Sequence, residues 1–420
     1  MGLGSKLGQC NAVADENLKH AAKPVSDAGY NHNNISTLPT MPPMTPTEIS
    51  GVNQVAAKAQ YDYQNKQVNN FNLLKPTVPQ GTQYPDAMIS ALVVEKMWRI
   101  VCIKELHAFY SQQSLQALVD RACKHDWRLL MIEWYIPTID MITDIAVLGL
   151  YDIVVNADDS GSMQSPDEDN MTRFEILKIA LKTIGCWSTM MDADGIVLRF
   201  FNSTREGNGL STLADVEKCF EGLHPSGLTP MGEGLNRIFE TIVSPLMFEG
   251  GLERPVLAIT ITDGAPQNEQ LVVDTIIKCK NMCSQSKYGQ NAMAFGFSQI
   301  GKDKGAEKFL NMLDVHPLVG HLVDCTSEFS MEQQQCGPAF TPAVWVVKTM
   351  IGPIDPAYDQ ADEGVNNTLA IPTATATAVQ VPQNVFQSVP VATAYATTMP
   401  PQQYGNGPPP QYGNGPPPPY

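Results

Sequence analysis

Between residues 151 and 323, short apolar runs alternate with helix-length segments, and this rhythm constrains the fold more than any other feature of the chain. Strand candidates fall at 151–158, 196–201, 256–262, 292–297 and 321–323, and helix candidates at 173–191, 232–243, 271–284 and 305–313. Strands separated by helices do not pair as hairpins. They line up in parallel, and a parallel sheet needs helices to cover both faces. The expected fold class is α/β, a doubly wound and mostly parallel sheet. Ligands of such sheets bind in the crevice beyond the carboxyl ends of the strands.

Composition divides the rest of the 420 residues. Residues 1–85 are rich in Asn, Pro, Thr and Gln and lack periodicity, which predicts a disordered N-terminal region. From Asp86 to residue 148 apolar residues recur at helical spacing, interrupted at Pro137. This segment is expected to form two or three helices packed on the next domain. Residues 149–353 form the α/β domain with a C-terminal helix. Residues 354–420 contain no Lys or Arg and finish in Pro, Gly, Asn, Gln and Tyr, which predicts a disordered tail.

The net charge of −16 argues against nucleic acid and anionic membranes as partners, since a basic face would have to supply that affinity. The longest apolar stretches carry charges such as Glu95, Arg99, Glu133 and Asp144, so no transmembrane segment is expected. The start of the chain lacks the apolar stretch of a signal peptide, and the nine cysteines form no paired framework. Both features point to a cytoplasmic protein with reduced thiols. Gly2 invites lipidation, but Lys6 stands where the usual pattern wants Ser or Thr. Cys279 and Cys283 lie one helical turn apart, with no second pair or nearby His to complete a zinc site, and read as partly buried helix residues.

The chemistry gathers at the strand ends. Asp158, Ser160 and Ser162 follow the apolar run Ile153-Val154-Val155 and offer oxygen at alternate positions. Thr229 supplies a hydroxyl in Gly227-Leu228-Thr229-Pro230-Met231-Gly232, and Asp263 ends the run Ile259-Thr260-Ile261-Thr262. Taken singly, each piece is an ordinary loop or turn. Taken together, in this order and each after a strand, they resemble the von Willebrand factor A (vWA) family, in which such residues form a metal-ion-dependent adhesion site (MIDAS). The resemblance covers roughly residues 149–330. It implies that Ser160 and Ser162 bind the metal directly, Thr229 directly or through water, and Asp158 and Asp263 mostly through water. Leu150-Tyr151-Asp152-Ile153-Val154-Val155 and Leu322-Val323-Asp324-Cys325-Thr326-Ser327 are also similar to a group of uncharacterised fungal vWA proteins.

Independently of the family, a site of hydroxyls and two carboxylates suits Mg2+ or Mn2+, hard cations that prefer oxygen. A metal touched by few carboxylates keeps positive character, and an open position would attract Asp or Glu from a partner protein. The first expectation is therefore a non-enzymatic interaction module. No general base is evident beside the cluster, and His224 reads as a surface-loop residue.

The second expectation comes from the tail. Pro409-Pro410-Gln411-Tyr412 and Pro417-Pro418-Pro419-Tyr420 both match Pro-Pro-x-Tyr, a pattern similar to ligands of WW domains. Pro409, Pro410, Tyr412, Pro417, Pro418 and Tyr420 would contact such a partner, a ubiquitin ligase for example. The chain would then act as an adaptor.

Overall fold

The computed structural model describes residues 87–167, 170–336 and 340–358. All of these belong to the first of two compact units, residues 1–373 and 374–420. The expected disordered region at 1–85, the tail beyond 358 with its Pro-Pro-x-Tyr motifs, and Gly2 lie outside the described residues.

Six strands form one mixed sheet: β1 (Asp152–Ala157), β2 (Ile196–Phe200), β3 (Glu206–Leu210), β4 (Val256–Thr262), β5 (Met293–Gln299) and β6 (Val323–Thr326). Their order is β3-β2-β1-β4-β5-β6. Every neighbouring pair is parallel except β2 with β3. β4, in the middle, is Val-Leu-Ala-Ile-Thr-Ile-Thr and buried throughout, as befits a strand covered on both faces.

Alternation along the strands sorts their side chains into two apolar clusters. Ile153, Val155 and Ala157 of β1 and Leu257, Ile259 and Ile261 of β4 join one cluster, while Val154, Val256 and Ala258 join the other. The first is covered by α5 (Arg173–Met191), through Leu177, Leu181 and Ile184 among others. The second is covered by α7 (Met231–Ile238), α9 (Glu269–Gln285) and α10 (Lys304–Asp314). Several helix starts carry side-chain caps. Thr172 and Glu175 close a reciprocal capping box at α5, and Thr212 and Asp215 close one at α6 (Leu213–Phe220).

The segment before the sheet forms α1 (Ala87–Ile103), α2 (Gln112–Ala122), α3 (Trp127–Glu133) and α4 (Ile139–Asp144), followed by a 3₁₀ stretch, Ile145–Leu150. Val93, Met97, Ile100 and Val101 of α1 join the same apolar cluster as β1 and α5. So does α12 (Pro342–Ile351), with Trp345 fully buried. These helices share the core of the sheet.

Several sequence expectations need correction. β3 was absent from them, because Glu-Gly-Asn-Gly-Leu has no apolar alternation; it is an antiparallel edge recruited by pairing with β2. Residues 320–322 form a 3₁₀ turn and the last strand begins at Val323. The helix expected at 232–243 is regular only to Ile238, then widens to a π turn at Phe239–Val243 before α8 (Ser244–Glu249). Pro245, at the start of α8, accounts for the widening: its ring clashes with a regular i−4 carbonyl. α11 (Phe329–Cys336) completes the helices. Ile354, Asp355 and Tyr358, placed in the tail by composition, are buried against the body. Cys279 and Cys283 are fully rather than partly buried, and burial raises both thiols, Cys283 to about 11.

Candidate metal centre

The strand order reverses between β1 and β4, whose chain neighbours β2 and β5 lie on opposite sides. Loops leaving the carboxyl ends of two such strands diverge and open a crevice. Asp158 follows β1 and Asp263 follows β4, so both carboxylates stand at this point. The Asp158 backbone N–H donates to the Ile261 carbonyl (3.0 Å), fixing the two strand ends in register.

From there a chain of hydroxyls crosses the crevice. Ser162 Oγ donates to Asp263 Oδ1 at 2.7 Å, and Ser160 Oγ lies 2.9 Å from Ser162 Oγ. Because the Ser162 proton is committed to Asp263, Ser160 is the donor of the second bond. Asp158 Oδ1 accepts from the Ser160 backbone N–H (2.8 Å), and its Oδ2 accepts from Thr262 Oγ1 (2.6 Å). Asp158, Ser160 and Asp263 are almost fully buried, and Ser162 is exposed.

Thr229 joins through the backbone. Its carbonyl accepts from the Gln267 N–H (3.1 Å), tying its loop to the one after β4. Its Oγ1 lies 3.8 Å from where a Cβ on Gly264 would stand. The same loop is laced to the Ser160 turn by Gly161 N–H to the Gly227 carbonyl (3.1 Å) and Ser226 N–H to the Asp159 carbonyl (2.8 Å). All five residues expected from sequence therefore sit on three loops that are bonded to one another. His224 is exposed on this loop.

Burial pushes the Asp158 carboxyl up to about 6, against the hydrogen bonds from Thr262 and Ser160; the charge of Asp263 adds to the rise. A cation brought into the crevice would relieve both effects.

The donor set is of the type that Mg2+ or Mn2+ prefers, oxygen without sulfur or imidazole. The Ser160 and Ser162 hydroxyls stand 2.9 Å apart as a hydrogen-bonded pair beside the Asp263 carboxylate. Among the described residues no group of three or more His, Cys, Asp or Glu side chains could hold a metal; the set here is of another type, with hydroxyls beside two carboxylates.

Three neighbours escaped the sequence reading. Thr262 holds Asp158, although its place in the β4 run marks it only as a strand residue. Asp159, beside Asp158, accepts from the backbone N–H groups of Asn202 (2.7 Å) and Ser203 (2.8 Å), fastening the loop after β2. Arg173 of α5 donates from Nη1 to Asp263 Oδ2 at 2.7 Å. Nothing in the spacing of Arg173 and Asp263 signals the last contact, which only the packing of α5 creates.

No family model matches the chain, and no curated protein matches it.

Proposed function

We propose that this chain carries a vWA-type domain, doubly wound around its sheet, that docks an acidic side chain of a partner protein on a Mg2+ or Mn2+ held by Asp158, Ser160, Ser162, Thr229 and Asp263. The observation that carries the reading is the bonded series Ser160–Ser162–Asp263 across the ends of β1 and β4. The metal would supply a positive centre with an exchangeable position. The buried aspartates orient the hydroxyls, and exposed Ser162 marks the open side. The role is non-enzymatic: the residues gathered here bind and orient, and His224 does not join the hydroxyl chain. A cytoplasmic setting accords with the buried thiols. Among the described residues no helix is long and apolar enough to cross a membrane.

The burial of Asp158 and Asp263 decides which variant tests the reading cleanly. Asp263→Ala would strand the Arg173 guanidinium, whereas Ser162→Ala removes one exposed ligand and leaves the core intact. Partners captured from lysate in Mg2+ should be lost in EDTA and lost with Ser162→Ala. Capture unchanged by both would overturn the docking role.

The paired Pro-Pro-x-Tyr motifs support a second reading, an adaptor that recruits WW-domain proteins with the folded unit as scaffold. A chain shortened at residue 400 would then lose all its partners. Retention of the full set dismisses the adaptor.

A further inference from the structure

Asp263 is shared. Its Oδ1 faces the serine hydroxyls, and its Oδ2 is taken by Arg173 at 2.7 Å. The seat of this arginine is built. Arg173 opens α5, and its backbone N–H is anchored to the Ser165 carbonyl (3.1 Å) at the end of the Ser160–Ser162 turn. Its guanidinium lies against Gly301, just beyond β5, where a Cβ would come within 2.5 Å of Nε. Gly301 also has φ +76°, so glycine is required there both for the backbone and for the space. The Nε–H is buried and finds no hydrogen-bond partner among the described residues; the carboxylate of Asp167 stands 4.0 Å away.

We propose that Arg173 is a tethered cation of the metal site, which competes with the metal for Asp263 and so weakens metal binding. The inference rests on the docking reading above. Arg173 offsets one carboxylate charge at a site that also has buried Asp159 beside Asp158 and Asp167 4.0 Å from Nε. Its removal leaves the site one unit more negative and so more attractive to a divalent ion. A fixed, largely buried cation beside a divalent ion opposes it by an energy worth about an order of magnitude in affinity. Arginine suits the task because it cannot shed its charge at any working pH.

The test is Mn2+ titration of the full chain, followed by electron paramagnetic resonance, in the wild type, Arg173→Gln, Arg173→Met and Arg173→Lys. The neutral variants should bind Mn2+ roughly tenfold more tightly than the wild type, and Arg173→Lys, which keeps the charge, should stay close to wild type. Mn2+ binding to the wild type without tightening in either neutral variant overturns the inference and leaves the docking reading standing. Binding by the neutral variants alone supports the inference in its strongest form, and absence of binding from every form removes both. If the neutral variants fail to fold, the Arg173 Nε–H resonance of the wild type decides: it should shift as Mg2+ is added, and a signal that stays in place overturns the competition.

Discussion

Arg99 and Asp355 are joined by a two-bonded fork, with Nη1 donating to Oδ1 at 2.8 Å and Nη2 to Oδ2, across almost the whole described chain. Asp355 is buried, and the Arg99 guanidinium holds its carboxyl below the usual range against the cost of burial. Near it, Tyr358 Oη donates to Asp144 Oδ2 (2.7 Å), and Lys96 donates to the other oxygen of Asp144. Helices α1 and α4 are thereby fastened to the segment that follows α12.

Asp355→Ala leaves Arg99 without its buried partner and should lower unfolding stability by about 3 kcal/mol. A chain ending at Pro353 would lose the Tyr358 bond as well and should be less stable still. Urea denaturation of both forms checks this, and an unchanged midpoint would mean that the fork contributes nothing net.

Thr262→Val keeps the shape of a buried side chain but removes the hydroxyl that donates to Asp158 Oδ2. Loss of a bond to a buried carboxylate should cost about 1–3 kcal/mol. It should also weaken Mn2+ binding, because Asp158 becomes harder to ionise. Calorimetric titration beside thermal melting separates the two effects.

Asp159 offers a control for position rather than ligation. Asp159→Ala would orphan the backbone N–H groups of Asn202 and Ser203, with an expected loss of about 2 kcal/mol. Hydrogen exchange should quicken at 202–203 while the ends of β1 and β4 remain protected.

His125 gives a pH dependence of definite sign. Burial lowers it from the ordinary 6.5 to about 4, against the pull of the Met190 carbonyl, 3.2 Å from Nε2. Between pH 6.5 and about 4 the unfolded chain binds a proton at this site that the folded chain does not, so stability falls as the pH falls through that window. Asp144 acts in the opposite sense: burial raises it to about 6, so the folded chain takes up its proton first. Melting temperatures of wild type and His125→Gln at pH 7 and 4.5 isolate the histidine, and the variant should lose less on acidification.

The strand runs at 256–262 and 196–200 and the helix at 173–191 were legible because burial on both faces of a sheet leaves a continuous apolar signature, and a capped helix declares its start. β3 was illegible for the converse reason. An edge strand of Glu-Gly-Asn-Gly-Leu owes its form to the hydrogen bonds that β2 offers, and those depend on where the sheet places it. The burial of Ile354, Asp355 and Tyr358 was hidden in the same way, since composition does not show that Arg99 waits for Asp355.

At the crevice, sequence by itself determined the donor chemistry: hydroxyls and carboxylates at the ends of apolar runs, with spacing that only a turn can bring together. Tertiary structure decided the rest. It placed Asp158 and Asp263 at the reversal between β1 and β4, chose Thr262 and Asp159 as their supports, and delivered Arg173 to Asp263. The physical reason is range. Apolar periodicity and turn chemistry act within a few residues and are written in the local sequence, whereas a charge pair such as Arg173–Asp263 exists only because a helix packs on a sheet face whose geometry the whole chain must first build.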